Sequence, residues 1–234
     1  MQAVLERLIE KISTVDVDPR PSENFYIENI FADDLYADLL ACLPSDEQYH
    51  FIEHPDAVLP DGRKTRKLLD LTDETIASLN SSHQTFWTEM KTILVSKKLQ
   101  KAILEKFRDR INQRFGEQWP ELVTVPILYR DFPGYRIGVH TDAPYKVATM
   151  QLYLPQDNSQ QHLGTSFHIK QGNKFELLKT NIFKPNSAYA FVRTEESWHS
   201  VKQLALQESI RNSLALTIYE KGTEYKSYPS KKDY

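Results

Sequence analysis

The chain has 234 residues, 40% hydrophobic and 26% charged, with a formal net charge of −3. That length supports one domain with a full-sized core, and the mild negative balance argues against general nucleic-acid binding, which needs a basic excess. A single cysteine, Cys42, excludes an intrachain disulfide and suits a reducing compartment; no apolar run approaches the ~18 residues of a membrane span.

The N-terminus "MQAVLERLIEKI" is amphipathic and mixed in charge, without the apolar core of a signal peptide, so a soluble cytoplasmic protein is expected. Apolar spacing predicts a helix over 3–13, a candidate for association. "STVDVDPRPSENF" is a polar connector and "FYIENIF" a short strand. "ADDLYADLLACLP" reads as a helix stopped by Pro44, with Cys42 as a buried structural thiol. Residues 45–72 read as irregular because of Pro55, Pro60 and Gly62. Two longer helices are expected over 73–96 and 97–115, the second with a solvated basic face.

After Gly116 the pattern changes. "LVTVPILYR", "KVATMQLYL", "GTSFHIK", "KFELL", "SAYAFVR" and "RNSLALTIYE" are short β-rich runs between turn residues. Helices first and strands after predict an α+β domain whose strands form an antiparallel sandwich or barrel. Alternation gives β-strand faces: Ala148, Met150, Leu152 and Leu154 on one side, Val147, Thr149, Gln151 and Tyr153 on the other. Near the C-terminus, Leu214, Leu216 and Ile218 oppose Arg211, Ser213, Ala215, Thr217 and Tyr219. The mixed faces either meet bulk water or line a pocket.

Seven histidines are available as metal ligands. His50 and His54 have helical chelating spacing, but Pro55 follows at once, so no site is expected there. His140 and Asp142, in "YRIGVHTDAPYK", project to the same face if the chain is extended, giving two ligands of a 2-His-1-carboxylate triad. His199 comes 59 residues after His140, and Arg211 and Ser213 begin a strand 12 residues later. A guanidinium fork with a hydroxyl at i+2 suits the far carboxylate of a small dicarboxylate whose other end chelates a metal.

The order His-x-Asp, His, Arg-x-Ser resembles the 2-oxoglutarate- and Fe(II)-dependent oxygenases, in particular the prolyl-4-hydroxylase-like branch. Its Y-x-x-G-x-H-x-D pattern compares with Tyr135, Gly138, His140 and Asp142, and "PNSAYAFVRTEESWHSV" is similar to the segment leading to its distal histidine. "FYIENIFADDLYADLLACLP" is similar to its N-terminal strand and helix. The chain departs from the pattern at "HLGTSF", where a single Gly164 stands in place of the frequent glycine pair, which puts the local turn in question.

The resemblance implies a double-stranded β-helix, or jelly roll, with N-terminal helices packed on its major sheet. It divides one domain into helical support (1–116), jelly-roll core (117–222) and polar tail (223–234). It implies Fe(II) on His140, Asp142 and His199, and 2-oxoglutarate as cosubstrate with O2, its C5 carboxylate held by Arg211 with Ser213. Tyr129, Thr149 and Gln151 are expected as further cosubstrate contacts. The implied activity is a dioxygenase that hydroxylates a small molecule or a glycan- or lipid-linked metabolite, releasing succinate and CO2. Asp142 favours hydroxylation, since related halogenases lack that carboxylate. Arg136, Arg193, Glu195 and Glu196 are candidates for substrate contact, and 45–72 or 155–163 for a lid. The alternatives are a protein side-chain hydroxylase, a jelly-roll metal- or ligand-binding module without turnover, and a cupin-type metal enzyme.

Overall fold

The computed structural model describes residues 2–224. The predicted polar tail therefore lies, from residue 225 on, outside the described residues. The first half carries α1 (Gln2–Thr14), β1 (Asn24–Glu28), α2 (Asp33–Ala41), β2 (His50–Phe51) and β3 (Arg66–Asp70), followed by α3 (Asp73–Ala77), α4 (Ser81–Leu94), α5 (Lys97–Glu105) and α6 (Arg108–Phe115).

Both long helices expected over 73–96 and 97–115 are interrupted. The Asn80 side chain accepts a hydrogen bond from the His83 amide at 2.9 Å and caps a new helix start. Phe107, at φ −120° and ψ 16°, leaves the helical region between α5 and α6. Cys42 follows α2 and is only partly buried, so the expectation of a buried thiol is corrected. Its carbonyl accepts from the Trp87 indole at 2.7 Å, so its backbone ties α2 to α4.

The second half supplies β4 (Leu122–Asp131), β5 (Ile137–His140), β6 (Lys146–Tyr153), β7 (Thr165–Gln171), β8 (Lys174–Thr180), β9 (Ser187–Val192), β10 (His199–Val201) and β11 (Arg211–Glu220). These strands divide between a seven-stranded sheet, ordered β1-β9-β6-β11-β4-β3-β2, and a four-stranded sheet, ordered β5-β10-β7-β8. All their pairings are antiparallel. From β4 to β11 the chain passes back and forth between the sheets, which is the winding of a double-stranded β-helix.

Strand parity then separates the faces. Met150 and Leu152 of β6 and Leu214, Leu216 and Ile218 of β11 share one apolar cluster with Leu8, Ile12, Trp87 and Ile103 of the helices. Each fully buried side chain of this kind contributes roughly 1.5–3 kcal/mol over its exposed state. Thr149 and Gln151 of β6 and Ala215 and Thr217 of β11 face the other way, into a cavity.

The segment 45–72 is more ordered than its prolines and glycine suggest. β3 pairs with β4, and β2 pairs with β3, extending the larger sheet at its edge. This register sets Arg66 opposite Asp131, and β11 sets Arg211 opposite Asp131 from the other side.

The single glycine of "HLGTSF" is explained by a close approach. A Cβ on Gly164 would lie 1.7 Å from the Asn181 carbonyl oxygen and 2.6 Å from its carbon. Backbone cannot swing aside as a side chain does, so one glycine here is a packing requirement. Gly164→Ala is expected to cost about 3 kcal/mol, the upper range for overpacking. Urea unfolding checks this: the midpoint should fall with the slope unchanged.

Candidate metal centre and its cavity

β5 ends on His140 and β10 begins on His199, and the two residues are register partners. Their imidazoles stand side by side, ring centroids 4.2 Å apart. Asp142 sits just past the end of β5 rather than on it. One ligand atom from each of His140, Asp142 and His199 falls within 4.8 Å of the others.

The two histidines are oriented alike. His140 Nδ1 lies 2.9 Å from the Gly138 carbonyl oxygen, and His199 Nδ1 lies 2.9 Å from that of Ser197. A carbonyl can only accept, so each Nδ1 carries a proton, which in the neutral imidazole leaves the Nε2 lone pair free. Backbone contacts of this kind fix the tautomer that a metal needs.

Asp142 is 8% exposed. Its Oδ1 accepts from the Lys146 ammonium at 2.8 Å and its Oδ2 from the Thr149 hydroxyl at 3.1 Å. Burial opposes ionisation, but Lys146 and the flanking imidazoles outweigh it and hold the carboxyl well below the usual range. The Arg193 guanidinium donates to the Asp142 carbonyl at 3.1 Å, fixing the backbone of the turn.

Burial pushes the His199 imidazole down to about 4, with Asp142 offsetting only part of the effect. His199 is therefore neutral at pH 7. Between about pH 6.5 and 4 the unfolded chain takes up a proton at this histidine and the folded chain does not. The metal-free protein should thus lose stability as pH falls through that window, by on the order of 3 kcal/mol. The Asp142 contribution is lost lower, below its unfolded value near 3.8. Chemical denaturation of wild type and His199→Asn at pH 7 and pH 4.5 checks this; the variant should show the smaller drop.

The three residues open into a cavity of about 440 Å³ between the two sheets. Of the residues expected from sequence, Tyr129, Thr149 and Gln151 line it. Arg211 and Ser213 do not line it, although their strand parity is that of its wall. Ser213 is fully buried and accepts from Gln151 Nε2 at 2.8 Å. Gln151 Oε1 in turn accepts from the Tyr189 hydroxyl at 2.7 Å, which accepts from Thr165 at 2.8 Å. This chain of bonds fixes Gln151. Arg211 is also fully buried: its Nη1 donates to Asp131 at 2.8 Å and its Nε to the Leu163 carbonyl at 2.8 Å.

The cavity wall also carries residues that the sequence did not single out, among them Arg66, Lys146 and Tyr189. Parity within "RKLLD" and "SAYAFV" could have flagged the first and last. Residues 50–54 form part of the wall, His50 and His54 included, whereas none of 155–163 lines it. Among the described residues the metal-ligating cluster is the His140, Asp142 and His199 set, so His50 and His54 add no second cluster. Arg136, Glu195 and Glu196 are exposed and outside the wall. No helix among the described residues is long and apolar enough to cross a membrane.

No family model matches the chain, and no curated protein matches it. Solved structures do. A Pseudomonas putida prolyl-4-hydroxylase is 14% identical, with a TM-score of 0.55 over 93% of this chain and 100% of that one. A Trichoplax adhaerens prolyl hydroxylase, in complex with a peptide fragment of the hypoxia inducible factor oxygen degradation domain, is 11% identical, with a TM-score of 0.52 over 94% and 90%. A non-haem α-ketoglutarate-dependent carbocyclase from nogalamycin biosynthesis is 6% identical, with a TM-score of 0.53 over 95% and 89%. At these identities the likeness is one of fold, and the chain shares the fold of these enzymes.

Proposed function

We propose that this chain is a non-haem Fe(II)- and 2-oxoglutarate-dependent dioxygenase that hydroxylates a small molecule or a glycan- or lipid-linked metabolite. The observation that carries the reading is the convergence of His140, Asp142 and His199 within 4.8 Å at the wall of a 440 Å³ cavity. Two imidazole nitrogens and one carboxylate oxygen are the donor set of a facial triad, and this set suits non-haem iron. The Nδ1 contacts leave both Nε2 atoms as donors, so the residues fit the metal. When bound, iron and 2-oxoglutarate supply the oxidising chemistry, with succinate and CO2 as coproducts.

The chain's own residues supply the surroundings. His140, Asp142 and His199 would hold the metal. Thr149 orients the Asp142 carboxylate through its 3.1 Å hydrogen bond. Tyr129, Thr149 and the Gln151–Tyr189 pair form cavity wall that a cosubstrate would contact. The volume lies in the ordinary range of small-molecule sites, roughly 300–1,000 Å³, which favours a compact substrate. An intact Asp142 supports hydroxylation as the outcome. In this reading residues 1–116 support the larger sheet, 117–222 carry the chemistry, and the protein works in the cytoplasm.

The test is spectroscopic. Fe(II) and 2-oxoglutarate added without oxygen should produce a weak visible charge-transfer band, and admission of oxygen should yield succinate even without substrate. A wild-type protein that binds Fe(II) but gives neither band nor succinate would overturn the reading in favour of a metal-binding module.

A further inference from the structure

We propose that Arg114 of α6 and Arg193, just past β9, are positioning residues of the metal centre: they clamp the main chain between β5 and β6 and hold Asp142 in place before a metal arrives. This assignment rests on the reading of His140, Asp142 and His199 as metal ligands. Those three residues are not held alike. His140 and His199 are register partners on two paired strands, so a ladder fixes their backbones. β5 ends at His140 and β6 begins at Lys146, and Asp142 lies between them, outside both strands. The connection also crosses from the smaller sheet to the larger one. The carboxylate ligand therefore sits on the segment with least strand support.

The main chain there is nevertheless fully engaged. The Asp142 carbonyl accepts from Arg193 Nε at 3.1 Å. The Ala143 carbonyl accepts from the Lys146 amide at 3.0 Å, and the Tyr145 carbonyl from the Glu220 amide at 3.1 Å. The carbonyls of Pro144 and Lys146 accept from the two ends of one guanidinium, Arg114 Nη2 at 2.6 Å and Nη1 at 2.7 Å. Five successive carbonyls thus have protein donors, where an ordinary surface turn leaves such groups to water. A planar fork that spans two carbonyls fixes their separation as well as their position, which an ammonium cannot do.

The two arginines are themselves anchored. Arg114 pairs with Glu220 at the end of β11, and Arg193 Nη1 with Glu195 at 2.6 Å. Their side chains are 24% and 11% exposed. The Arg193 amide donates to the Val147 carbonyl at 2.9 Å, and α6 is seated by Ile111 and Phe115 on the main apolar cluster. Arg114 thus ties the helical half of the chain to the turn that bears a ligand of the metal. Arg193, a candidate for substrate contact by its place in the sequence, spends its guanidinium on this turn. A ligand held in place beforehand spares metal binding the cost of ordering it.

The test uses the full chain, Mn(II) calorimetry and amide hydrogen exchange read by mass spectrometry. In metal-free wild type, peptides covering 141–147 should already be protected, and saturating Mn(II) should change them little. In Arg114→Met the same peptides should exchange about tenfold faster without metal, while peptides of β4 and β11 stay within about twofold of wild type. Mn(II) should bind this variant about 10–100-fold more weakly, the usual cost of losing a group that orients a ligand, and saturating Mn(II) should restore protection of the turn. Arg114→Lys keeps the charge beside Glu220 without the fork, and should recover part of the affinity. If Arg114→Met does not fold, Arg114→Lys carries the comparison, with about threefold weaker Mn(II) binding and faster exchange confined to the turn. Unchanged Mn(II) affinity in the folded variant, or exchange that rises across the whole chain, would overturn the clamp and leave Arg114 a structural partner of Glu220. Failure of wild type to bind Mn(II) would overturn the metal-centre reading and this assignment with it.

Discussion

Asp142→Ala should abolish metal loading, while Lys146→Met should strengthen it. The first substitution removes one of the three donors, and it also takes away the carboxylate that the Lys146 ammonium donates to beside the imidazoles. Both effects disfavour a cation in the same place. Changes to the groups that merely support metal ligands cost about 10–100-fold in affinity, so loss of a ligand itself should cost at least about 100-fold. The second substitution works in the opposite sense. In the metal-free protein the ammonium occupies Asp142 Oδ1 at 2.8 Å, so an incoming metal competes with it for that oxygen. Without the ammonium, the Thr149 hydroxyl still orients the carboxylate, and divalent affinity should rise by about tenfold at low salt. Titration of both variants with Mn(II) or anaerobic Fe(II) by calorimetry decides the matter. Equal affinity in wild type and Asp142→Ala would remove Asp142 from the metal centre, and weaker binding by Lys146→Met would make the lysine part of the site.

The contrast between what the sequence reveals and what it conceals follows from how each residue reaches the site. His140, Asp142 and His199 are legible because chemistry restricts their types and because two of them sit at strand termini that pair in register. The apolar faces of β6 and β11 are legible because side chains alternate along a strand, so the face that joins the apolar cluster repeats at every second residue. β3 is concealed for the converse reason. Its cavity face reads Arg66, Leu68, Asp70, and its other face Lys67, Leu69, so neither face is uniformly apolar and no alternation stands out. The surrounding Pro55, Pro60 and Gly62 then suggest a loop. The position of Arg211 was legible but its contact was not. Parity put it on the cavity face, yet the Asp131 that captures it lies 80 residues earlier, at the end of a neighbouring strand. Pairing across a sheet depends on register, which one sequence does not print. Gly164 is a similar case: the glycine is visible, but the Asn181 carbonyl that requires it is not.

Asp131→Asn should be the most destabilising single substitution at this site, at about 3–5 kcal/mol. The side chain is fully buried and its two oxygens serve two guanidinium groups, so the change strands two positive charges and turns an amide NH2 toward one of them. Breaking a buried ion pair from one side carries a cost of this size because the surviving charge cannot recover its hydration. Arg66→Met should cost much less, since it leaves Asp131 and Arg211 paired and neutral. The triple replacement of Arg66, Asp131 and Arg211 by Met, Leu and Met removes all the charges together. Buried ionic groups replaced by apolar residues of similar volume are often neutral or stabilising, so the triple variant should recover most of the stability lost by Asp131→Asn. Urea unfolding of wild type, Asp131→Asn and the triple variant separates the two outcomes. If the triple variant is as unstable as Asp131→Asn, the row is required for packing. If it is as stable as wild type, the stability of the fold does not depend on the row.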